Sequence, residues 1–344
     1  MSFVVLVMGL SLSFYPTQGS ILSSMFCNIY FGNIEDIFLD NVIDKRNSHF
    51  IRGSTTSNCD AAVAHCNSHI HLLVRIVDDF LLISTCKDTS TRFLTKLSRG
   101  LPGFGARING EKSRANYQVS IKNTSTGKME AVSVCRDYFP WCGLLIDTRT
   151  CEIRLDYKRF GGSHAIDTVV IHRAGNEGLY LKRKMKDFVR PRCCQKLLFS
   201  SCINGIEVIQ SNFYQMFLLC AIKLLHYVNG CGDETASLTH TSFIYNSAVD
   251  TISYAYLLIS SKIRHGNGRA TANSSSEDVM TFQLSWIDAL WLGKQAFFRV
   301  FQQSAGLTAQ LSHFFYDSSA GTSNVKQLLK VIRRTHRMFP IDDV

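Results

Sequence analysis

The sequence lacks the marks of several common protein classes, and each absence narrows what the chain can be. Its twelve cysteines include no C-x-x-C pair: Cys193 and Cys194 are adjacent, and others, such as Cys27, Cys142 and Cys220, lie inside apolar runs. That spacing forms no disulfide framework, and reduced, buried thiols in an intracellular protein are expected. No internal repeat is visible, so a solenoid or propeller is not expected. The opening MSFVVLVMGLSLSFY has neither a positive n-region nor a small-residue cleavage site, and it is too short to span a bilayer. The apolar run from Phe213 to Val228 is also short and is interrupted by Lys223 and His226. No membrane partner is expected.

What is present is a chain of 344 residues, long enough for two domains, with 46% hydrophobic and 19% charged residues. That balance is globular rather than disordered. Acid is scarce relative to base: 27 Asp and Glu stand against 37 Lys and Arg, giving a net charge of +10. Such an excess favours polyanionic partners without fixing a fold. Cys59, His65, Cys66, His69 and His71 cluster in sequence, but their spacing fits no usual zinc pattern, and the Ser, Asn and Gly around them read as loop.

Along the chain, Ile21, Leu22, Met25, Phe26, Ile29, Tyr30, Ile34, Ile37 and Phe38 recur at steps of three and four, predicting one apolar helix face up to about residue 39. Residues 44 to 68 read as a loop. Two β-rich runs, Leu72 to Val77 and Phe80 to Ser84, then flank only Asp78-Asp79 and predict a tight hairpin. A helix from about Ser90 to Arg99, a glycine-bearing stretch from Gly103 to Gly110 and a strand-like segment from Phe139 to Asp147 follow. Beyond Asp147 helical periodicity dominates, over Leu179 to Val189, Ile206 to Val228, Phe243 to Arg264, Met280 to Gln303 and Val325 to Phe339. The expected class is α+β, a mixed region of antiparallel strands with packed helices followed by an all-α region.

Asp78 and Asp79 are the most informative residues. A charge that interrupts apolar strands costs several kcal/mol unless something offsets it. Two carboxylates on one turn suit a hard divalent cation such as Mg²⁺. Phosphoryl transfer uses such pairs to hold two metals about 3.5–4 Å apart. Taken alone, the pair is equally compatible with a solvated turn. Lys182, Arg183, Lys184, Lys186, Arg190 and Arg192 form a basic stretch suited to sequence-independent phosphate contacts, or to an ordinary solvated helix face. Lys330, Arg333, Arg334 and Arg337 form a weaker basic cluster near the end.

Several ordered blocks decide between these readings, because the sequence resembles the telomerase reverse transcriptases in them. QGSILSSMFCNIYFGNIE, from Gln18, is similar to that family's motif B′; LLVRIVDDFLLIST to motif C; GFGARINGEKS, Gly103 to Ser113, to motif D; and FPWCGLLIDT to motif E. DYKRF at Asp156 to Phe160 and the helix around NFYQMFLLCAIKLLHYV resemble the carboxy-terminal extension, and WLGKQAFF near Trp291 does so more weakly. The position two residues before the aspartate pair, Tyr in most retroviral enzymes, is Ile76 here. The resemblance implies a partial reverse-transcriptase palm over 18–147 and a helical thumb over 148–344, with 1–17 as an unrelated leader. It implies Asp78 and Asp79 as metal-binding catalytic residues; Lys112, after a glycine-rich turn, reads either as a group that protonates or neutralises the leaving pyrophosphate or as a solvated lysine. Gln18 and Gly19 would support template and nucleotide, Trp141, Cys142 and Gly143 would grip the primer, and Lys182, Arg183, Lys184 and Lys186 would hold the RNA–DNA hybrid. Implied partners are telomerase RNA, single-stranded telomeric DNA, deoxynucleoside triphosphates and Mg²⁺, in the nucleus at chromosome ends.

The chain also departs from that family. The family's motif A carries a third aspartate ahead of B′, yet the seventeen residues before Gln18 contain no Asp or Glu. Phe14-Tyr15-Pro16-Thr17 stands where Gly-Ile-Pro is expected. A fragment, short isoform or incomplete gene product, inactive alone, is therefore expected. A non-catalytic nucleic-acid-binding short form and a retroelement reverse transcriptase are the alternatives.

Overall fold

The computed structural model describes residues 4–12, 25–26, 28–33, 48–53, 69–99, 106–122, 127–160, 169–170, 177–231, 241–267, 281–302, 311–313, 315 and 324–338. The chain divides into two compact units, Met1–Cys151 and Glu152–Val344. Strands and helices are both present, so the mixed α and β class read from the sequence is observed.

The first unit is built on a six-stranded sheet in the order β2-β3-β4-β1-β5-β8. Its strands are β1 Val4–Leu12, β2 Ser48–Gly53, β3 His69–Ile76, β4 Asp79–Ser84, β5 Ala106–Ala115 and β8 Ser133–Val134. The short strands β6 Ser120–Lys122 and β7 Met129–Ala131 pair separately. Strand β4 is central: Phe80, Leu81 and Leu82 are all buried, as a strand covered on both faces requires. Helix α1, Lys87–Ser98, buries Phe93, Leu94 and Leu97 at its helical spacing. It covers the range expected from the sequence and begins three residues earlier.

Two expectations for this unit change. The opening residues, set apart above as a leader, form β1 in the middle of the sheet, antiparallel to both β4 and β5. The aliphatic run that mimics a signal peptide is what a strand with neighbours on both sides needs. In the segment expected to be one long helix, 25–26 and 28–33 are helical, yet Met25, Phe26 and Ile29 are exposed while Phe31 is buried. Phe31 meets Phe80 edge to face, with ring centroids 6.0 Å apart, and that contact orients the segment.

The second unit opens on β11, Ile153–Leu155, whose backbone is satisfied by side chains. Asn204 Oδ1 accepts the Ile153 N–H at 2.6 Å, and Asn212 Oδ1 accepts the Leu155 N–H at 3.1 Å. Its helices are α2 Glu177–Cys193, α3 Ile206–Cys231, α4 Thr241–Asn267, α5 Trp286–Gln302 and α6 Val325–Met338. Helix α3 is long and apolar enough to cross a bilayer, but 89% of its apolar window is buried among its neighbours, as in a core helix. Phe213 and Phe217 of α3 pack with Phe297 and Phe301 of α5 and with Phe315, all fully buried. Helix α4 comes so close to α5 that a Cβ on Gly293 would stand 2.6 Å from Ile252 Cδ1. Helix α6 is tied to α3 by Ser211–Thr335 and Tyr214–His336 hydrogen bonds, each 2.8 Å.

Candidate active site at the aspartate turn

The β3–β4 hairpin closes on Ile76 paired with Asp79, leaving Val77 and Asp78 as its two turn residues. Val77 has φ of +56°, a region where a β-branched side chain is strained by about 1–3 kcal/mol. Arg75 offsets that cost. Its guanidinium donates to the Val77 carbonyl at 2.9 Å and to Asn28 Oδ1 at 3.0 Å. It also lies over the Phe31 and Phe80 rings, 5.7 and 5.9 Å from their centroids. Asp78 therefore sits on the turn and Asp79 on the first residue of a strand, and both are half-buried. Asp79 is also opposite Gly9 of β1. Arg75 stands inside the block resembling motif C, but reading that block for acids passes over it.

The segment expected to be one strand at 139–147 is instead a second hairpin, β9 Tyr138–Trp141 and β10 Leu144–Asp147. Cys142 and Gly143 form its turn with φ of +48° and +80°. Two positive φ values in succession are what a two-residue hairpin turn of the inverse type demands, and glycine at the second place was the legible signal. Trp141 is buried at 4% exposure, so its indole packs into the core, while Cys142 and Gly143 are half-buried at the tip. The Cys142 thiol donates to Asp79 Oδ2 at 3.4 Å. Two blocks 63 residues apart thus meet at the aspartate turn.

The other expected site residues fall elsewhere. Lys112 is exposed where β5 departs from regular register against β1, and its backbone N–H donates to Asn109 Oδ1 at 3.3 Å. Gln18 and Gly19 lie outside the described residues, as do Cys59, His65 and Cys66. His71 of that cluster is buried and bonded through Nδ1 to Ser84 Oγ at 2.7 Å. On α2 the four expected hybrid-binding residues do not share one face. Lys182 pairs with Asp250 at 3.6 Å and lies over the Phe243 ring, and Lys186 lies over Tyr254, so both are turned to α4. Lys184 is half-buried, and Arg183 and Arg190 are exposed. Near the end of the chain Arg334 reaches Glu207 at 2.5 Å, while Lys330, Arg333 and Arg337 are exposed.

Asp78 and Asp79 offer hard oxygen donors, but among the described residues no group of three or more His, Cys, Asp or Glu could hold a metal ion. Mg²⁺ takes six oxygens in near-ideal octahedral geometry but commonly draws only one or two of them from carboxylates, with water and substrate phosphates supplying the rest, so the pair would form part of its shell.

Comparison with known proteins falls on this same framework. Residues 179–312 match the family model described as telomerase reverse transcriptase, C-terminal extension, a span that runs from α2 past α5. A telomerase reverse transcriptase of Oryza sativa subsp. japonica is 28% identical over 86% of this chain and 22% of its own length. One of Arabidopsis thaliana is 25% identical over 92% and 27%, and one of Canis lupus familiaris 28% identical over 71% and 19%. The chain thus spans about a quarter or less of the curated relatives it matches. A solved apo telomerase from Candida tropicalis is matched at 17% identity over 80% of this chain and 37% of that one, with a TM-score of 0.30, too loose to bear on the fold. The sequence resemblance is borne out: the matching family model and the curated relatives are all named telomerase reverse transcriptase, and the family model that this chain matches is that of their C-terminal extension.

Proposed function

We propose that the chain is the carboxy-terminal part of a telomerase catalytic subunit. Its first unit is the later half of a reverse-transcriptase palm and its second the thumb. The complete protein would add telomeric repeats to chromosome 3′ ends in the nucleus, copying telomerase RNA by Mg²⁺-dependent nucleotidyl transfer from deoxynucleoside triphosphates. The observation that carries this reading is the meeting of Asp79 with Cys142, which brings the two blocks resembling the catalytic and primer-grip motifs together. Asp78 and Asp79 would be the acidic residues of the reaction, the Cys142-Gly143 tip would support the primer end, and Lys112 would face the leaving pyrophosphate. With two carboxylates at the turn, the 344 residues alone are expected not to extend a primer on an RNA template. Templated extension by the purified chain with Mg²⁺ overturns that expectation. In the complete protein, Asp78→Ala lowers extension by orders of magnitude, and near-full activity there would remove the aspartate turn from the reaction.

A second reading, nucleic-acid binding without catalysis, is favoured by the exposed arginines of α2. The sum of phosphate contacts sets the salt dependence of hybrid binding, about 0.7–0.9 log units per contact for each tenfold rise in salt. Because Lys182 and Lys186 serve helix packing, Arg183→Ala with Arg190→Ala is the informative pair. It flattens the salt slope by up to about two units for all sequences alike. An unchanged slope in the folded double variant assigns those arginines to a solvated face.

A further inference from the structure

We infer that the Cys142 side chain is a positioning residue for Asp79. The sequence reading gave Cys142 a role through its backbone, as part of a tip supporting a primer. The geometry assigns a separate task to its thiol. Asp79 is fixed along its backbone by Ile76 on one side and Gly9 on the other, so only its side-chain torsions are left to set. The Cys142 thiol donates to Oδ2 from the tip of a different hairpin and selects one of those settings. A residue with a Cβ is strained at φ of +48°, where Gly or Asn is the easier choice. The turn carries that strain, and the contact it delivers is the one with Asp79. Trp141 and Leu144, paired and both about 95% buried, anchor the tip from below, so the thiol is held rather than loosely presented. The consequence is that the aspartate turn and the β9–β10 tip act as one unit: a shift of the tip turns the Asp79 carboxylate. This deepens the proposed function and rests on it for the carboxylate's role in the reaction, while the contact itself is testable without catalysis.

The test uses the 344-residue chain and site-resolved alkylation by iodoacetamide at one fixed pH. The thiolate sulfur forms the new bond to carbon and iodide leaves. The tryptic peptide Asp137–Arg149 contains Cys142 as its single cysteine, so mass spectrometry reads this thiol alone. A thiol whose proton is held by a neighbouring carboxylate reacts slowly. Asp79→Asn is expected to raise the Cys142 rate at least about fivefold, the size of one unit charge about 4 Å away in bulk water. Asp78→Asn, with the same loss of charge one residue away, is expected to change it less than about twofold. Equal rates in the two variants overturn the proposal, since a thiol that merely packs at the tip does not distinguish them. A second measurement covers the case in which Asp79→Asn perturbs folding. In Asp79→Cys, oxidised glutathione should close a disulfide to Cys142, two thiols being oxidised as the glutathione disulfide is reduced, and Asp78→Cys should not. Absence of the Asp79→Cys cross-link also overturns it. Near-full extension by Asp78→Ala in the complete protein would remove the polymerase reading of the aspartate turn and leave both of these results standing, so the two failures are distinguishable.

Discussion

The two units use burial in opposite ways. In the helical unit the apolar side chains form a continuous interior: α3 is covered on nearly every side, and five phenylalanines from α3, α5 and residue 315 pack into one cluster. In the sheet unit the informative side chains are half-buried and polar, gathered where the β3–β4 and β9–β10 turns meet. The helical unit spends its sequence on cohesion. The sheet unit holds strained turns at Val77 and Cys142 and steadies them with Arg75 and Asp79. Strain of that kind persists only where surrounding contacts over-determine it, which is why it is found beside the aspartates and not in the phenylalanine cluster.

Three measurements sharpen or break this contrast. The largest effect is expected at the centre of the helical unit. Phe297→Ala should destabilise it by about 3–5 kcal/mol, while Leu257→Ala, at 61% exposure on α4, should stay within about 0.5 kcal/mol. Urea unfolding followed by circular dichroism at 222 nm reads both, and similar losses at the two positions would mean the cluster is not the core.

An intermediate effect is expected from pH, through His71 in the sheet unit. Burial, then the nearby His69 and Arg92, hold its pKa below the ordinary histidine value. The unfolded chain therefore takes up a proton that the folded chain refuses. Stability should be full above the ordinary value near 6.5 and should fall as pH drops through and below it. His71→Gln should flatten the dependence of the urea midpoint between about pH 7 and 5.5 relative to the parent chain. An unaltered dependence would place the linkage on other groups, such as the half-buried His226 of the helical unit.

The smallest perturbation is a labelling experiment that alters no residue. Cys193 and Cys194 are neighbours in sequence, but Cys193 faces the core beside Met216 and Cys194 is exposed. Burial pushes the Cys193 thiol up, and Cys220, fully buried, is pushed up to about 12. Cys194 and Cys202 should react with a maleimide in the native chain, whereas Cys193 and Cys220 should react only after urea is added. Native labelling of Cys193 would show α2 detached from α3.

Much of this was legible from the chain alone, and the failures have a common cause. The helices of the second unit stand close to where three- and four-residue periodicity puts them, because that pattern is local. The Asp78-Asp79 hairpin was legible for the same reason, with two β-rich runs and a short polar gap. The hairpin at Cys142-Gly143 was missed because PWCGLL reads as one apolar run unless the glycine is weighted as a turn. The exposure of Met25, Phe26 and Ile29 was missed because periodicity finds a face without saying what it packs on. Expecting buried cysteines throughout was too broad, since six of the eight cysteines whose side chains are described are half-buried or exposed.

By itself, then, the sequence determined the order of the blocks, the extent of the helices and the carboxylates at a hairpin turn, all of which are set by residues within a few positions of one another. Only the tertiary structure decided that the first apolar segment lies between β4 and β5, that Lys182 and Lys186 turn to α4, and that a thiol at position 142 meets a carboxylate at 79. Each of those depends on pairing across tens of residues. Many sheet registers and helix faces satisfy the same local pattern, and the surfaces available for burial choose among them.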